Sequence, residues 1–302
     1  MASLVTSTGN SGNKGVGRVS AVEEKPGVRA TCVDIGINIT SKQLKPKWRE
    51  IIKRAVDAGV HDILLTGTSV KSSKESLSIA ANWLKEMGAK NLCCTVGIHP
   101  HDAKSFNSET TISKLVELLA HPLAVAVGEC GLDYNRNFSP KDKQLECFRA
   151  HVRLAIDLQY PMFVHEREAF EDTIRVFDEF AGETLPPVVI HCFTGTLEEA
   201  MAYIARGFFI GFTGTICKKQ RGALLRDILP QLPLEKLMVE TDAPWMGFLK
   251  SRRTSEPADV VLVAEELARV VGVSPDEVKR VTTTNARHFF RLGANKMSDT
   301  DH

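Results

Sequence analysis

The sequence predicts an α/β protein whose one main domain is a closed (β/α)8 or TIM barrel, and three observations predict it. From Thr31 onward, short β-rich apolar runs alternate with longer amphipathic segments, and there are eight such pairs. The glycine-rich fingerprint of a dinucleotide-binding open sheet is missing. Run after run also ends on a polar or ionisable side chain, as strands do when a fold keeps its chemistry at their carboxyl ends.

The runs read as strands are TCVDIGIN (31–38), DILLTG (62–67), LCCTVGIH (92–99), AVAVGE (124–129), PMFVH (161–165), PVVIHC (187–192), FFIGFT (208–213) and KLMVET (236–241). They are short, with little polar alternation, the pattern of parallel strands buried on both faces. The segments between them read as helices at 46–58, 71–87, 109–120, 140–158, 168–181, 196–206 and 218–229, with an eighth at 256–271. Local punctuation agrees. Gly59 and Gly88 stand where left-handed C-terminal residues belong, and Ser139 before Pro140 reads as an N-cap with proline at the first helical position. Ser274-Pro275-Asp276-Glu277 opens a last helix running to about Arg291. Domain bounds follow as a barrel over 31–292, a Ser- and Gly-rich disordered tail over 1–30 and a loose tail over 293–302. The Ser-rich, acid-poor start also fits an organelle transit peptide, although no amphipathic Arg-bearing helix accompanies it.

Composition narrows the function. A net charge of +1 advertises no polyanion partner, so any nucleic-acid contact must come from a local patch. Seven cysteines without a CxxC pair suggest free thiols in a reducing compartment, hence the cytoplasm, with nuclear or organellar residence open. No apolar run is long enough to span a membrane, and no secretory leader is evident.

In a barrel the strand ends gather at one mouth. They carry Asn38, Thr66-Gly67-Thr68, His99-Pro100-His101, Glu129, His165, His191, Thr213-Gly214-Thr215 and Glu240-Thr241-Asp242. Imidazole and carboxylate converging from several strands form a divalent-metal set. Mixed nitrogen and oxygen donors suit Zn²⁺, Mn²⁺ or Fe, and a wetter carboxylate-rich version suits Mg²⁺. Asp242 is expected to be both ligand and general base, and Glu240, two residues earlier on the same face, a partner that orients a ligand. His99 reads either as a group that orients a phosphate or protonates a leaving oxygen, or as a loop histidine bonded to Asp102. Arg136 and Arg167 stand close enough to reach an anion over the mouth, and Lys218, Lys219, Arg221, Arg252 and Arg253 could make its rim basic.

DIGINIT, TGT, GIHPHDAK, VGECGLDYNRNFS, VIHCFTGT, IGFTG and VETDAPW, in that order from about Cys32 to Leu292, resemble the TatD family of metal-dependent deoxyribonucleases within the amidohydrolase-like barrels. The resemblance implies a hydrolase of DNA phosphodiester bonds that trims single strands from the 3′ end with divalent metal, Mg²⁺ before Mn²⁺ or Zn²⁺. It places the family's ligands on Glu129, His165, His191 and Asp242. Many relatives carry His-x-His at the end of the first strand, whereas this chain has Gly36-Ile37-Asn38. One firm metal site is therefore expected, with Asn38 left to the substrate side and a second ion in doubt. Two other readings remain: a metal-dependent ester or amide hydrolase such as an aminoacyl-tRNA deacylase, and a binding barrel that has lost turnover. No protein partner is indicated.

Overall fold

In the computed structural model residues 30–293 are described; apart from residues 30 and 293, the two expected tails lie outside them. Eight parallel strands follow one another around the sheet in chain order: β1 Cys32–Ile37, β2 Val60–Leu65, β3 Leu92–Val96, β4 Ala124–Asp133, β5 Met162–Arg167, β6 Val188–His191, β7 Phe209–Phe212 and β8 Leu237–Val239. The last meets the first through the bridge Ile37–Ala243, supported by Asn38 N–H to Ala243 O (2.6 Å) and Asp242 N–H to Gly36 O (2.9 Å). The nearly closed barrel was legible as eight runs.

Two apolar layers hold it. Inward-facing Val33, Ile35, Leu64, Ala126, Phe163, Val189 and Met238 fill the barrel, and Phe289 and Phe290 of the last helix plug its amino-terminal end. Outward-facing strand residues pack on the helices α1 Trp48–Asp57, α2 Val70–Met87, α3 Thr110–Leu119, α4 Lys141–Leu158, α5 Phe170–Asp178, α6 Leu197–Ala205, α7 Ala223–Ile228 and α8 Val260–Val271. The plug is α9, Pro275–Phe290. Helix punctuation works as read at three places: Gly59 (φ +91°) follows α1, Gly88 (φ +67°) ends α2, and the Ser274 hydroxyl accepts from Glu277 N–H. No helix among the described residues is long and apolar enough to cross a membrane.

Four expectations need correction. The fourth strand does not stop at Glu129; it runs on to Asp133, because after a bulge at Gly128–Cys130 it keeps pairing with β5 as far as Asp133–Arg167. Ser139 is not an N-cap: its hydroxyl donates to His101 O and accepts from Lys104 N–H, tying the GIHPHD loop to the start of α4, whose cap position is Pro140. The seventh helix is shorter than 218–229, since Arg226 donates to the carbonyls of Ile216, Lys218 and Lys219 and holds that segment out of the helix. The eighth strand ends at Val239 rather than Thr241, because the buried Asp34 carboxylate takes both the Thr241 N–H (2.9 Å) and its hydroxyl (2.6 Å).

Candidate metal centre and active site

Strand period and register place the first two ligand candidates. Phe163 and His165 face inward on β5, Val189 and His191 on β6, and the register pairs Phe163 with Val189 and His165 with His191. Each imidazole therefore stands one layer above an apolar floor, at the carboxyl end. Glu129 arrives by the bulge in β4, which leaves it without a register partner and turns it inward. Its Oε1 lies 2.8 Å from His191 Nε2, 3.0 Å from His165 Nδ1 and 3.2 Å from His99 Nε2. Asp242 lines the same cavity, with its Oδ1 accepting from Asn38 Nδ2 at 2.9 Å.

A second tier fixes these groups. The fully buried Glu240 carboxylate reaches back into the barrel, where Oε2 is 3.3 Å from His191 Nδ1 and Oε1 accepts from Cys192 N–H at 2.6 Å. Its room comes from two glycines: a Cβ on Gly36 would meet Glu240 Oε2 at 2.6 Å, and one on Gly211 would meet Oε1 at 2.7 Å. A histidine at position 36 would therefore have to displace the carboxylate that orients His191 and the Phe163 ring beneath it, which is a physical reason for Gly36-Ile37-Asn38. Asp133 joins the other side, 2.7 Å from His101 Nε2 and 3.4 Å from His165 Nε2, and accepts from Arg136 N–H at 2.8 Å.

The electrostatics are those of a cation site. Burial alone would raise Glu129, but the imidazoles of His191 and His99 and hydrogen bonds with His165 and His191 hold it well below the ordinary carboxylate range. Burial would lower His191 and His165, yet Glu129 with Glu240 lifts the first and Asp133 with Glu129 lifts the second. His99 is lowered by burial. Asp242 is pushed up to about 8 by burial, with His191 opposing and Glu129 and Glu240 adding to the rise.

The donor set fits a divalent ion on an observation independent of charge. His165 Nε2 is buried with no partner in hydrogen-bond geometry, the Asp133 carboxylate standing 3.4 Å away, and such a nitrogen is better satisfied when something coordinates it. His99, Glu129 and His165 each offer a ligand atom, all within 4.8 Å of one another. Of the expected ligands, Glu129, His165 and His191 are thus brought into direct contact, and Asp242 lines the cavity beside them. His99 also stands among the ligand candidates, and its ring bonds not to Asp102 but to His101, whose N–H donates to His99 Nδ1 at 3.1 Å. Asp34, Asp133 and the Glu129 partner of His99 were not found in the sequence; an isolated acid within an apolar run was the only available signal.

Arg136, Arg167 and Asn38 all line the cavity, of about 1150 Å³. Its rim is not uniformly basic. Glu166, Glu168, Glu198, Glu199 and Asp227 line it with Arg221, while Arg252 is engaged with Glu256 and Asp259. Glu168, Cys192, Asp242 and Met246 line this cavity with positive φ (48° to 56°), four of the seven non-glycine residues so held among the described residues. Backbone in that region is sparsely populated and concentrates where function fixes geometry.

Comparison with known proteins shows the family. The family model described as "TatD related DNase" matches residues 33–291. A protein named 3′-5′ ssDNA/RNA exonuclease TatD from Shigella flexneri is 38% identical over 264 residues, covering 86% of this chain and 98% of that one. The protein of the same name from Escherichia coli K12 is also 38% identical, with the same coverage. Among solved structures, a TatD family hydrolase from Entamoeba histolytica superposes with a TM-score of 0.79 at 24% identity, covering 87% of this chain and 99% of that one, a likeness of fold alone.

Proposed function

The chain belongs to the TatD-related DNase family, and from that membership and the ring of imidazoles on Glu129 we propose that it is a metal-dependent hydrolase of phosphodiester bonds that trims single-stranded DNA from its 3′ end. The observation that carries this reading is one carboxylate oxygen within 3.2 Å of three histidine nitrogens at the carboxyl end of a barrel. The direction of cutting comes from the names of the relatives. A divalent cation held by Glu129, His165, His191 and His99, with Asp242 beside it, would supply Lewis acidity toward the scissile phosphate and the attacking water. Magnesium is the ion the resemblance favours, but an imidazole-rich set suits Mn²⁺ or Zn²⁺ at least as well.

The chain's own groups supply the rest. Asp242 is the proton acceptor: its carboxylate lines the cavity beside the ligand candidates, and Asn38 engages Oδ1 so that Oδ2 is the oxygen left to take the proton. Arg136 and Arg167 supply guanidinium forks for the phosphate. Glu240 occupies the space a first-strand ligand would need, which supports one firm metal cage. Seven free cysteines support a reducing, cytoplasmic setting.

The test is digestion of 3′-labelled and 5′-labelled single strands with Mg²⁺, Mn²⁺ and Zn²⁺ in turn. Stepwise loss from the 3′ end, abolished by chelator and by Glu129→Ala, is expected. Intact strands with every ion, or deacylation of aminoacyl-tRNA without cutting, would overturn the proposal.

A further inference from the structure

Among the described residues ten large apolar side chains are exposed, and only two of them, Phe138 and Trp245, are aromatic. Both line the mouth. Phe138 is 54% exposed on the loop after β4, and Trp245 is 49% exposed on the loop after β8. In a barrel of eight strands in chain order, the fourth and the eighth are half a turn apart, so the two rings rise from opposite walls.

Their backbones are fixed while their rings face solvent. Beside Phe138, the Ser139 hydroxyl donates to His101 O and the Asn137 amide donates to Tyr134 O. The ring meets His101 edge-on at 4.7 Å, one imidazole away from His165, with Arg136 5.9 Å from its centroid. Trp245 N–H donates to Asp242 O at 2.9 Å, and Trp245 O accepts from the Ser255 hydroxyl. Each exposed aromatic face is therefore held within a few residues of a group that handles the phosphate. A preorganised aromatic surface beside cations is what unpaired bases stack on, without regard to sequence.

We propose that Phe138 and Trp245 are stacking platforms for the unpaired bases on either side of the scissile phosphate, and that this pair confers the requirement for a single strand. The proposal rests on the nuclease reading and deepens it. A duplex keeps its bases stacked on one another and cannot offer two splayed faces to opposite walls without paying for unstacking.

Tryptophan fluorescence tests it on the Mn²⁺-loaded protein with phosphorothioate-linked oligo(dT), which resists hydrolysis. Trp83 is buried at 2% exposure, and Trp48 is partly buried with its ring 6.1 Å from that of Trp83, so Trp245 alone is placed to be quenched by a bound base. Quenching is expected in the wild type and lost in Trp245→Phe, which retains affinity because phenylalanine still stacks. Trp245→Ala and Phe138→Ala should each weaken binding roughly 5- to 100-fold with unchanged circular dichroism. An oligonucleotide abasic at its last two 3′ positions should bind wild type correspondingly less well and the alanine variants no worse than that. Persistent quenching in Trp245→Phe, or alanine variants that bind like wild type, would overturn the stacking role while single-strand cleavage left the nuclease reading standing. A wild type that neither binds nor cuts single strands would remove both.

Discussion

Glu240 touches no reacting atom in this arrangement, yet the orientation of His191 depends on where its carboxylate lies. The fold gives up two Cβ atoms, at Gly36 and Gly211, to admit it, and binds its two oxygens to His191 Nδ1 and Cys192 N–H. A buried acid that fixes one imidazole nitrogen leaves the other free to coordinate and raises its basicity. Glu240→Gln keeps the shape and the Cys192 contact but removes the charge that orients His191. Metal affinity is expected to fall about 10- to 100-fold with the fold retained, because partners of metal-ligating histidines act through ligand orientation. Competition with a chromophoric chelator measures it, and an affinity equal to wild type would show that Glu240 only fills space.

At the scale of elements, α4 is bound to the end of β3 through one imidazole. His151 is fully buried; its Nδ1–H donates to Cys147 O at 2.8 Å, and Nε2 accepts from Ile98 N–H at 3.1 Å, just before His99. The bond from Ile98 needs the neutral ring, since a protonated Nε2 cannot accept, and burial, opposed only by the Cys147 carbonyl, lowers His151 to about 4. An unfolded chain with an ordinary histidine near 6.5 binds more protons between pH 6.5 and 4 than the folded one. The contribution is therefore complete above pH 6.5 and is lost as pH falls through that window, on the order of 3 kcal/mol. Urea midpoints should drop across it in the wild type and much less in His151→Gln, whose amide stays neutral; parallel profiles would refute the assignment. Nothing in the sequence marked this histidine, since a residue within an amphipathic helix gives no sign of the loop it will support. The elements themselves were legible, because strand and helix periods are local properties. Where the reading slipped, a distant group had overridden local preference: Asp34 drew Thr241 out of β8, and His101 and Lys104 claimed Ser139 from the helix cap.

For the whole molecule, the barrel turns side chains 143 residues apart, from His99 to Asp242, into neighbours, and that is why the site was half legible. Glu129, His165, His191 and Asp242 announce themselves as ionisable residues at or just beyond apolar runs of the sequence. His99, which reaches Glu129 from the loop beyond β3, and Asp133, past a bulge that no pattern of alternation reveals, depend on tertiary geometry. Convergence also makes the site a drain on stability until it is filled, since Glu129, Asp242, Glu240 and the three imidazoles are taken from water into a small volume. An ion that binds only the folded chain must then stabilise it by mass action, by about 2.7 kcal/mol at a hundredfold excess over its dissociation constant. For a domain of this size that corresponds to a rise in Tm of roughly 5–10 °C. Thermal melts in Mn²⁺, Mg²⁺ and Zn²⁺ against chelator should show it and rank the ions without any substrate. Glu129→Ala should abolish the rise, because it removes the oxygen all three imidazoles share. A barrel that had lost its metal site would melt at the same temperature with and without each ion, and that result would leave the ring around Glu129 as an ordinary buried hydrogen-bond network.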